Sequence, residues 1–307
     1  MGKLGLLFSG QGSQYQGMSL DFPKSSEFYY KVKALTSLDI KTVIETGESL
    51  NETRNTQLAV FSHSMLAYHQ LKELNPNISG VLGFSLGEYS ALCSANIFNI
   101  DTAIKLVYQR SIIMNEAAFK TKGCMAAVLG LDEKTIKETL KEVSTGQMVV
   151  ANLNAPTQTV ISGQTSAFEE TVNLLKQAGA KRVIPLNVSG AFHSPLMSEA
   201  SENLETYLRD LEFNQPVYDI YMNVTGNKLT NENLKNLMVK QIVEPVRFVE
   251  MLDNMIKDGF THLIEVGPGN VLTNLVKKQQ NVEVMSFQSM TDYETLKGWL
   301  KLHGFIE

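Results

Sequence analysis

Near the start of the chain an apolar run from Leu4 to Phe8 stops abruptly at Ser9, Gly10 and Gly12. Such a run predicts a buried strand feeding a tight turn. From Ser26 to about Leu74 apolar positions recur at helical spacing, with breaks near Gly47 and around Asn51. A second apolar run, Ile78 to Phe84, meets Ser85, and LGEYSALCSANI continues at helical spacing, so the pattern predicts strand, sharp turn, helix. Residues 101–119, DTAIKLVYQRSIIMNEAAF, read as another helix with Asp101 as its cap.

Between about Gly123 and Leu186 the units become shorter. CMAAVLGL reads as a strand, DEKTIKETLKEV as a helix, MVVANLN and TVISG as strands, SAFEETVNLLKQAG as a helix and KRVIPL as a strand. That βαββαβ order is the ferredoxin-like unit, able to fold as an insert over 123–187. After Pro185 come the loop NVSGAFHSPLM, helices, the strand VYDIYMNV, and the strand THLIEVG leading into GPGNVLTNLV. Strands alternating with helices predict an α/β main domain, 1–122 and 188–307, with a mostly parallel sheet covered on both faces.

The chain has 307 residues, 43% hydrophobic and 19% charged, which excludes a disordered, collagenous or coiled-coil protein. Lys and Arg number 27 against 32 Asp and Glu, a net charge of −5. With no long basic block there is no electrostatic footprint for nucleic acid or an anionic membrane. No run approaches the ~18 apolar residues of a membrane span, and Leu4 to Phe8 is too short for a signal-peptide core. Cys93 and Cys124 lack CxxC spacing and read as structural thiols of a reducing compartment. The expectation is a cytoplasmic protein.

Gly83-Phe84-Ser85-Leu86-Gly87 fits GxSxG, whose glycines let a strained strand-to-helix turn present a serine hydroxyl. A chain of this length produces the pattern by chance about 0.1 times, and the apolar strand before it and helix after it favour a nucleophile over a capping serine. A nucleophilic serine needs a base. His63 and His69 lie on a helical pattern, His262 in an apolar strand and His303 in the C-terminal tail, all settings of structural histidines. His193 lies in the loop GAFHSPLM, where catalytic groups concentrate. The Gly10 to Gln14 loop fails the dinucleotide fingerprint because Tyr15 stands where glycine is needed. It can serve either as an ordinary turn or as a source of backbone N–H groups for an oxyanion. Arg110 interrupts an apolar helical stripe; it either meets a structural carboxylate or solvent, or clamps an anionic substrate with its planar fork. Glu88 is assigned no acid/base role, and HExxH-type metal spacing is absent.

Seven blocks in order, GQGSQ, GFSLGEYSAL, LVYQRSIIMNEA with its arginine 25 residues after Ser85, NLNAPTQTVISG, AGAKRVIPLNVSGAFHSPLM, KQIVEPVRF and HLIEVGPGNVLTNL, together resemble the malonyl-CoA:acyl-carrier-protein transacylases. The resemblance implies an α/β-hydrolase-like core with a ferredoxin-like insert. It implies Ser85 as nucleophile, His193 as base oriented by the backbone carbonyl of Gln241, and the N–H groups of Gln11 and Leu86 as the oxyanion hole. Arg110 would hold the malonyl carboxylate, and Met114, Phe192 and Gln11 would line the acyl group. Malonyl-CoA would be donor and acyl carrier protein acceptor, with no bound cofactor, no metal, no nucleic acid and no membrane, in a monomer serving fatty acid synthesis. Lys181 and Arg182 are candidate docking residues for an acidic carrier. Two positions depart from the family: Ser9 stands where it has proline, and Phe84 where it has histidine. The competing readings are a discrete acyltransferase of a polyketide assembly line, a serine esterase or thioesterase, and an inactive carrier-binding scaffold.

Overall fold

A strand covered on both faces needs apolar side chains at successive positions, and Leu4, Leu6, Leu7 and Phe8 are all fully buried. The computed structural model describes residues 2–279 and 282–307. Its strands are β1 (Lys3–Phe8), β2 (Ile78–Gly83), β3 (Gly123–Leu129), β4 (Met148–Ala155), β5 (Gln158–Gln164), β6 (Arg182–Pro185), β7 (Asp219–Tyr221), β8 (Phe260–Val266) and β9 (Glu283–Phe287). They form two sheets, a parallel one of order β7-β2-β1-β8-β9 and an antiparallel one of order β4-β5-β3-β6. The α/β class and the mostly parallel sheet match the expectation.

The chain divides into two compact units, Met1–Ser111 with Glu212–Met222 and Leu252–Glu307, and Ile112–Leu211 with Asn223–Met251. The first holds the parallel sheet. Phe8 is level with Gly83 on one side and Val266 on the other, so the three loops that follow β1, β2 and β8 leave the sheet at one height. Because β1 lies between β2 and β8, the loops at its carboxyl end stand where open parallel sheets place ligands. The helix Thr53–Lys72 is buried along most of its length.

The helix Ile100–Thr121 begins one residue before Asp101. Its first turn is capped by Asn99, whose Oδ1 accepts the Thr102 N–H at 2.9 Å, while Asp101 pairs with Lys31 on the surface. Asp101 is therefore not the cap. The strand expected over VYDIYMNV is only Asp219–Tyr221, because β7 is a sheet edge and Val217 instead donates its N–H to Ala95.

In the second unit β3–β6 carry a core of Ala126, Val128, Met148, Val150 and Ile161, covered by Ile136 and Leu140 of the helix Glu133–Leu140 and Leu175 of Phe168–Gln177. Asp132 caps the first of these helices by accepting the Thr135 N–H at 2.8 Å. Val246 exchanges backbone hydrogen bonds with Ala151 and Leu153 of β4, at 2.9 and 2.8 Å. These bonds attach Asn223–Met251 to this unit.

His63 is completely buried, edge-on to Phe22 at 5.5 Å. Loss of hydration pushes its pKa down to about 3, against 6.5 for an ordinary imidazole. Below the unfolded value the unfolded chain binds the extra proton, so stability falls as pH drops from 6.5 toward 3, by about 1.4 kcal/mol per pH unit from this group. His63→Phe is expected to flatten the pH dependence of the urea midpoint between pH 6.5 and 5. An unchanged slope would show that His63 is not its source.

Candidate active site

At the end of β2 the chain turns against the end of β1. Phe84 donates its N–H to the Phe8 carbonyl at 3.0 Å, and the helix Gly87–Ser94 opens with Gly87 N–H to Phe84 O at 2.9 Å and Glu88 N–H to Ser85 O at 3.0 Å. Ser85 sits at the apex, half-buried, with φ of +52°. A Cβ on Gly83 would lie 2.0 Å from the Gly87 carbonyl, and one on Gly87 would lie 2.1 Å from the Phe8 carbonyl oxygen. Both glycines of GxSxG are thus demanded by backbone meeting backbone, while the left-handed residue between them is a serine that tolerates strain of about 1–2 kcal/mol.

The loop after β1 lies against this elbow: a Cβ on Gly10 would be 2.6 Å from Phe84 O. Ser13 Oγ donates to Gly10 O at 2.8 Å, and Gln11 Nε2 donates to Thr53 Oγ1 at 3.2 Å. Leu86, buried, directly precedes the helix, so its N–H stands at the positive end of the helix dipole.

Arg110 is 1% exposed. Its Nη1 donates to Gln57 Oε1 at 2.6 Å, and its guanidinium lies over the ring of Tyr89, 5.0 Å from the centroid. Tyr89 belongs to the helix that starts at the elbow, so Arg110 is brought to that helix. Burial pulls the Arg110 pKa down, while Tyr89 and the fully buried Glu88 oppose that shift. Burial likewise pushes the Tyr89 hydroxyl up to about 12. Nothing local marks Gln57 as a partner, since it lies in a helical stretch with no motif, and Tyr89 reads as one more position of the helix after Ser85.

In the second unit His193 is 3% exposed and, like Ser85, has a positive φ, +56°. Its Nδ1 is 2.8 Å from the carbonyl oxygen of Gln241, the last residue of the helix Leu234–Gln241. A carbonyl at a helix C-terminus lacks an intrahelical donor and can only accept. The neutral imidazole therefore carries its proton on Nδ1, which leaves Nε2 as the basic nitrogen. The loop approaches its neighbours closely: a Cβ on Gly190 would be 2.5 Å from Ala118 Cβ. Met114 and Phe192 are buried, whereas Lys181 and Arg182 are exposed where β6 starts.

Of the sequence-derived candidates, Ser85, Gln11, Leu86 and Arg110 belong to the first unit, and His193, Gln241, Phe192, Met114, Lys181 and Arg182 to the second. Among the described residues no group of three His, Cys, Asp or Glu side chains could hold a metal ion, and no helix is long and apolar enough to cross a membrane. Both cysteines are free thiols, and burial pushes Cys93 up to about 12, a poor nucleophile.

Residues 6–296 match the model of a family described as acyl transferase domain. The malonyl CoA-acyl carrier protein transacylase of Staphylococcus aureus (strain MSSA476) is 38% identical over 309 residues, spanning 97% of this chain and 99% of that protein. The crystal structure of the protein of the same name from Clostridium perfringens superposes with a TM-score of 0.93 at 33% identity, covering 98% of each chain. A malonyl-transacylase solved in complex with a type II polyketide acyl-carrier protein gives 0.91 at 32% identity, covering 96% of this chain and 99% of that one.

Gly87→Ala is expected to lower stability by more than about 4 kcal/mol or to prevent folding, because the clash is with backbone that cannot rotate away. Gly298→Ala, in a helix with nothing within 4 Å of the added carbon, is the control and should stabilise by about 0.5–1 kcal/mol. Thermal melts of the two variants check this; equal melting temperatures would disprove the packing argument.

Proposed function

The chain belongs to the acyl transferase domain family, and from that membership we propose that it moves a malonyl group from malonyl-CoA to the phosphopantetheine thiol of an acyl carrier protein, through an ester on Ser85, for fatty acid synthesis. The observation that carries this reading is the serine elbow, set in a chain that matches malonyl CoA-acyl carrier protein transacylases over 97% of its length. The fold reading that goes with it takes 1–122 and 188–307 as an α/β-hydrolase-like core and 123–187 as a ferredoxin-like insert. Support for the insert is the strand order β4-β5-β3-β6 with every neighbour antiparallel. The reaction is assigned to the cytoplasm and uses no bound cofactor.

The proposed cycle is a double displacement. His193 Nε2 takes the Ser85 proton as Oγ attacks the malonyl thioester carbonyl, and the N–H groups of Gln11 and Leu86 donate to the oxyanion. Collapse expels CoA, whose sulfur takes the proton from His193. The pantetheine thiol then gives its proton to His193 and attacks the ester, and collapse returns the hydroxyl to Ser85. The Gln241 carbonyl serves as the orienting acceptor that an aspartate supplies in a triad; the 2.8 Å contact to Nδ1 supports that assignment.

Arg110 supplies the preference for a carboxylate-bearing acyl group. Beside an acetyl or fatty acyl chain the buried guanidinium gains no charged partner, whereas a carboxylate accepts from it on two oxygens. Phe192 and Met114 are assigned to the wall beside the acyl α-carbon, where a bulky side chain disfavours a methyl branch by about 1–3 kcal/mol. Lys181 and Arg182 are assigned to carrier docking. Their exposure at the start of the edge strand β6, together with that of Ile184 on it and Leu186 just after it at 41% and 36%, supports a surface that mixes basic charge with apolar contact.

Intact-mass analysis after incubation with malonyl-CoA is expected to show a malonyl adduct on the wild type and none on Ser85→Ala; an adduct on Ser85→Ala would rule out Ser85 as nucleophile. In the same assay Arg110→Ala should lose malonyl-over-acetyl preference by about 10- to 100-fold, the worth of a charge-assisted hydrogen bond. Unchanged selectivity would remove Arg110 from acyl recognition. Reversing Lys181 and Arg182 to glutamate should raise KM for the carrier protein about 3- to 10-fold and leave KM for malonyl-CoA alone. Equal effects on both substrates would count against docking there.

A further inference from the structure

The two departures from the family pattern, Ser9 and Phe84, both lie at the close approach between the loop after β1 and the elbow. Phe84 brings its carbonyl oxygen within 2.6 Å and its ring Cδ1 within 3.1 Å of where a Gly10 Cβ would stand, and Ser9 O lies 2.8 Å from the corresponding point on Gly87. Ser9 itself is 1% exposed, and its hydroxyl donates to Glu265 Oε1 at 3.1 Å.

Glu265 plays no part in the cycle above, yet it is a completely buried carboxylate on β8, beside β1. It also accepts the N–H of Leu272 on Oε1 at 3.0 Å and of Thr273 on Oε2 at 2.8 Å, in the first turn of the helix Val271–Gln279. One carboxylate thus joins the end of β8, the start of that helix and the loop after β1. A Cβ on Gly267 would lie 2.8 Å from Ser9 Oγ, so the loop after β8 also closes on the same hydroxyl. Proline at position 9 would stiffen the turn by locking φ. Serine has no such lock and leaves the turn free to move unless its side chain is held.

We propose that Ser9 is a positioning residue: its bond to the buried Glu265 fixes the loop that carries the Gln11 N–H, so that this donor meets the oxyanion as charge develops. The bond does for this chain what a ring-locked φ does where proline occupies the position. The proposal rests on the reading of Ser85 as nucleophile and Gln11 as oxyanion donor. A donor displaced by a fraction of an ångström weakens transition-state stabilisation and leaves ground-state binding of malonyl-CoA almost untouched.

The test is steady-state malonyl transfer by Ser9→Ala and Ser9→Thr, with rates referred to active sites counted by the malonyl adduct so that misfolded enzyme does not enter. Ser9→Ala is expected to lower kcat about tenfold with KM for malonyl-CoA within about twofold. Ser9→Thr, which keeps the hydroxyl, should return kcat to within about threefold of wild type. An unchanged kcat in Ser9→Ala, a rise in KM alone, or a failure of threonine to rescue overturns the positioning role. Ser85→Ala, run alongside, separates the two levels: if it loses the adduct while Ser9→Ala keeps full kcat, only the role of Ser9 falls, and if it keeps the adduct both readings fall.

Discussion

The end of β2 leaves no room for side chains. Phe8, Gly83 and Gly87 bring backbone against backbone, with glycine Cβ positions occupied at 2.0 and 2.1 Å by carbonyl groups of the neighbouring segments. That crowding forces the chain from strand to helix within three residues, and a positive φ at Ser85 is the outcome. The same contact brings the loop after β1 against the elbow and directs the helix Gly87–Ser94 so that Tyr89 lies under Arg110. Loosening the elbow would therefore move every candidate group of the first unit together.

Around this constraint the first unit buries polar groups that a simple core would exclude. Glu265 keeps its carboxylate out of water with three donors, two from a helix N-terminus and one from Ser9. Burial still raises its pKa, since hydrogen bonds only partly replace the lost hydration. Removing one donor from such a group costs more than the bond was worth, because the charge remains buried. The arrangement is consequently rigid in a way that apolar contacts are not: the loops ending β1 and β8 are held to a common anchor with direction as well as proximity. In the second unit His193 shows the same principle, a single acceptor fixing both the tautomer and the orientation of the ring.

What the sequence made legible follows from how local each cause is. The apolar run Leu4 to Phe8, the glycine spacing about Ser85 and the βαββαβ alternation are short-range patterns, and strands β1 to β6 lie where they point. Asp101 reads as a cap in the sequence because aspartate favours both the cap and the first turn, and only the Asn99 contact separates the two. The edge strand β7 came out short since nothing local in VYDIYMNV shows that pairing stops at Tyr221. Glu265 was hidden inside THLIEVG, where a lone acid among apolar residues could have marked a buried, hydrogen-bonded carboxylate. Its partners Ser9 and Leu272 are 256 residues behind and seven ahead, and no pattern spans the first of those separations. The pairing of Arg110 with Gln57, 53 residues away, is invisible for the same reason.

Under the role proposed for Arg110, acyl selectivity becomes a question of where charge is desolvated before substrate arrives. Arg110 is already stripped of water, stacked on Tyr89 and bonded to Gln57, and burial works against its charge. A guanidinium keeps its proton even so. Most of the desolvation cost is thus met on folding, supported by partners that hold the side chain rigid, and an incoming carboxylate has little further penalty to overcome on the protein side. An acyl chain without a charge gains nothing from that preparation. The same guanidinium on an exposed, mobile stem would lose most of this discrimination to water, since solvent would satisfy it equally well beside either acyl group. In that proposal selectivity depends less on the presence of an arginine than on its burial against Tyr89 and Gln57.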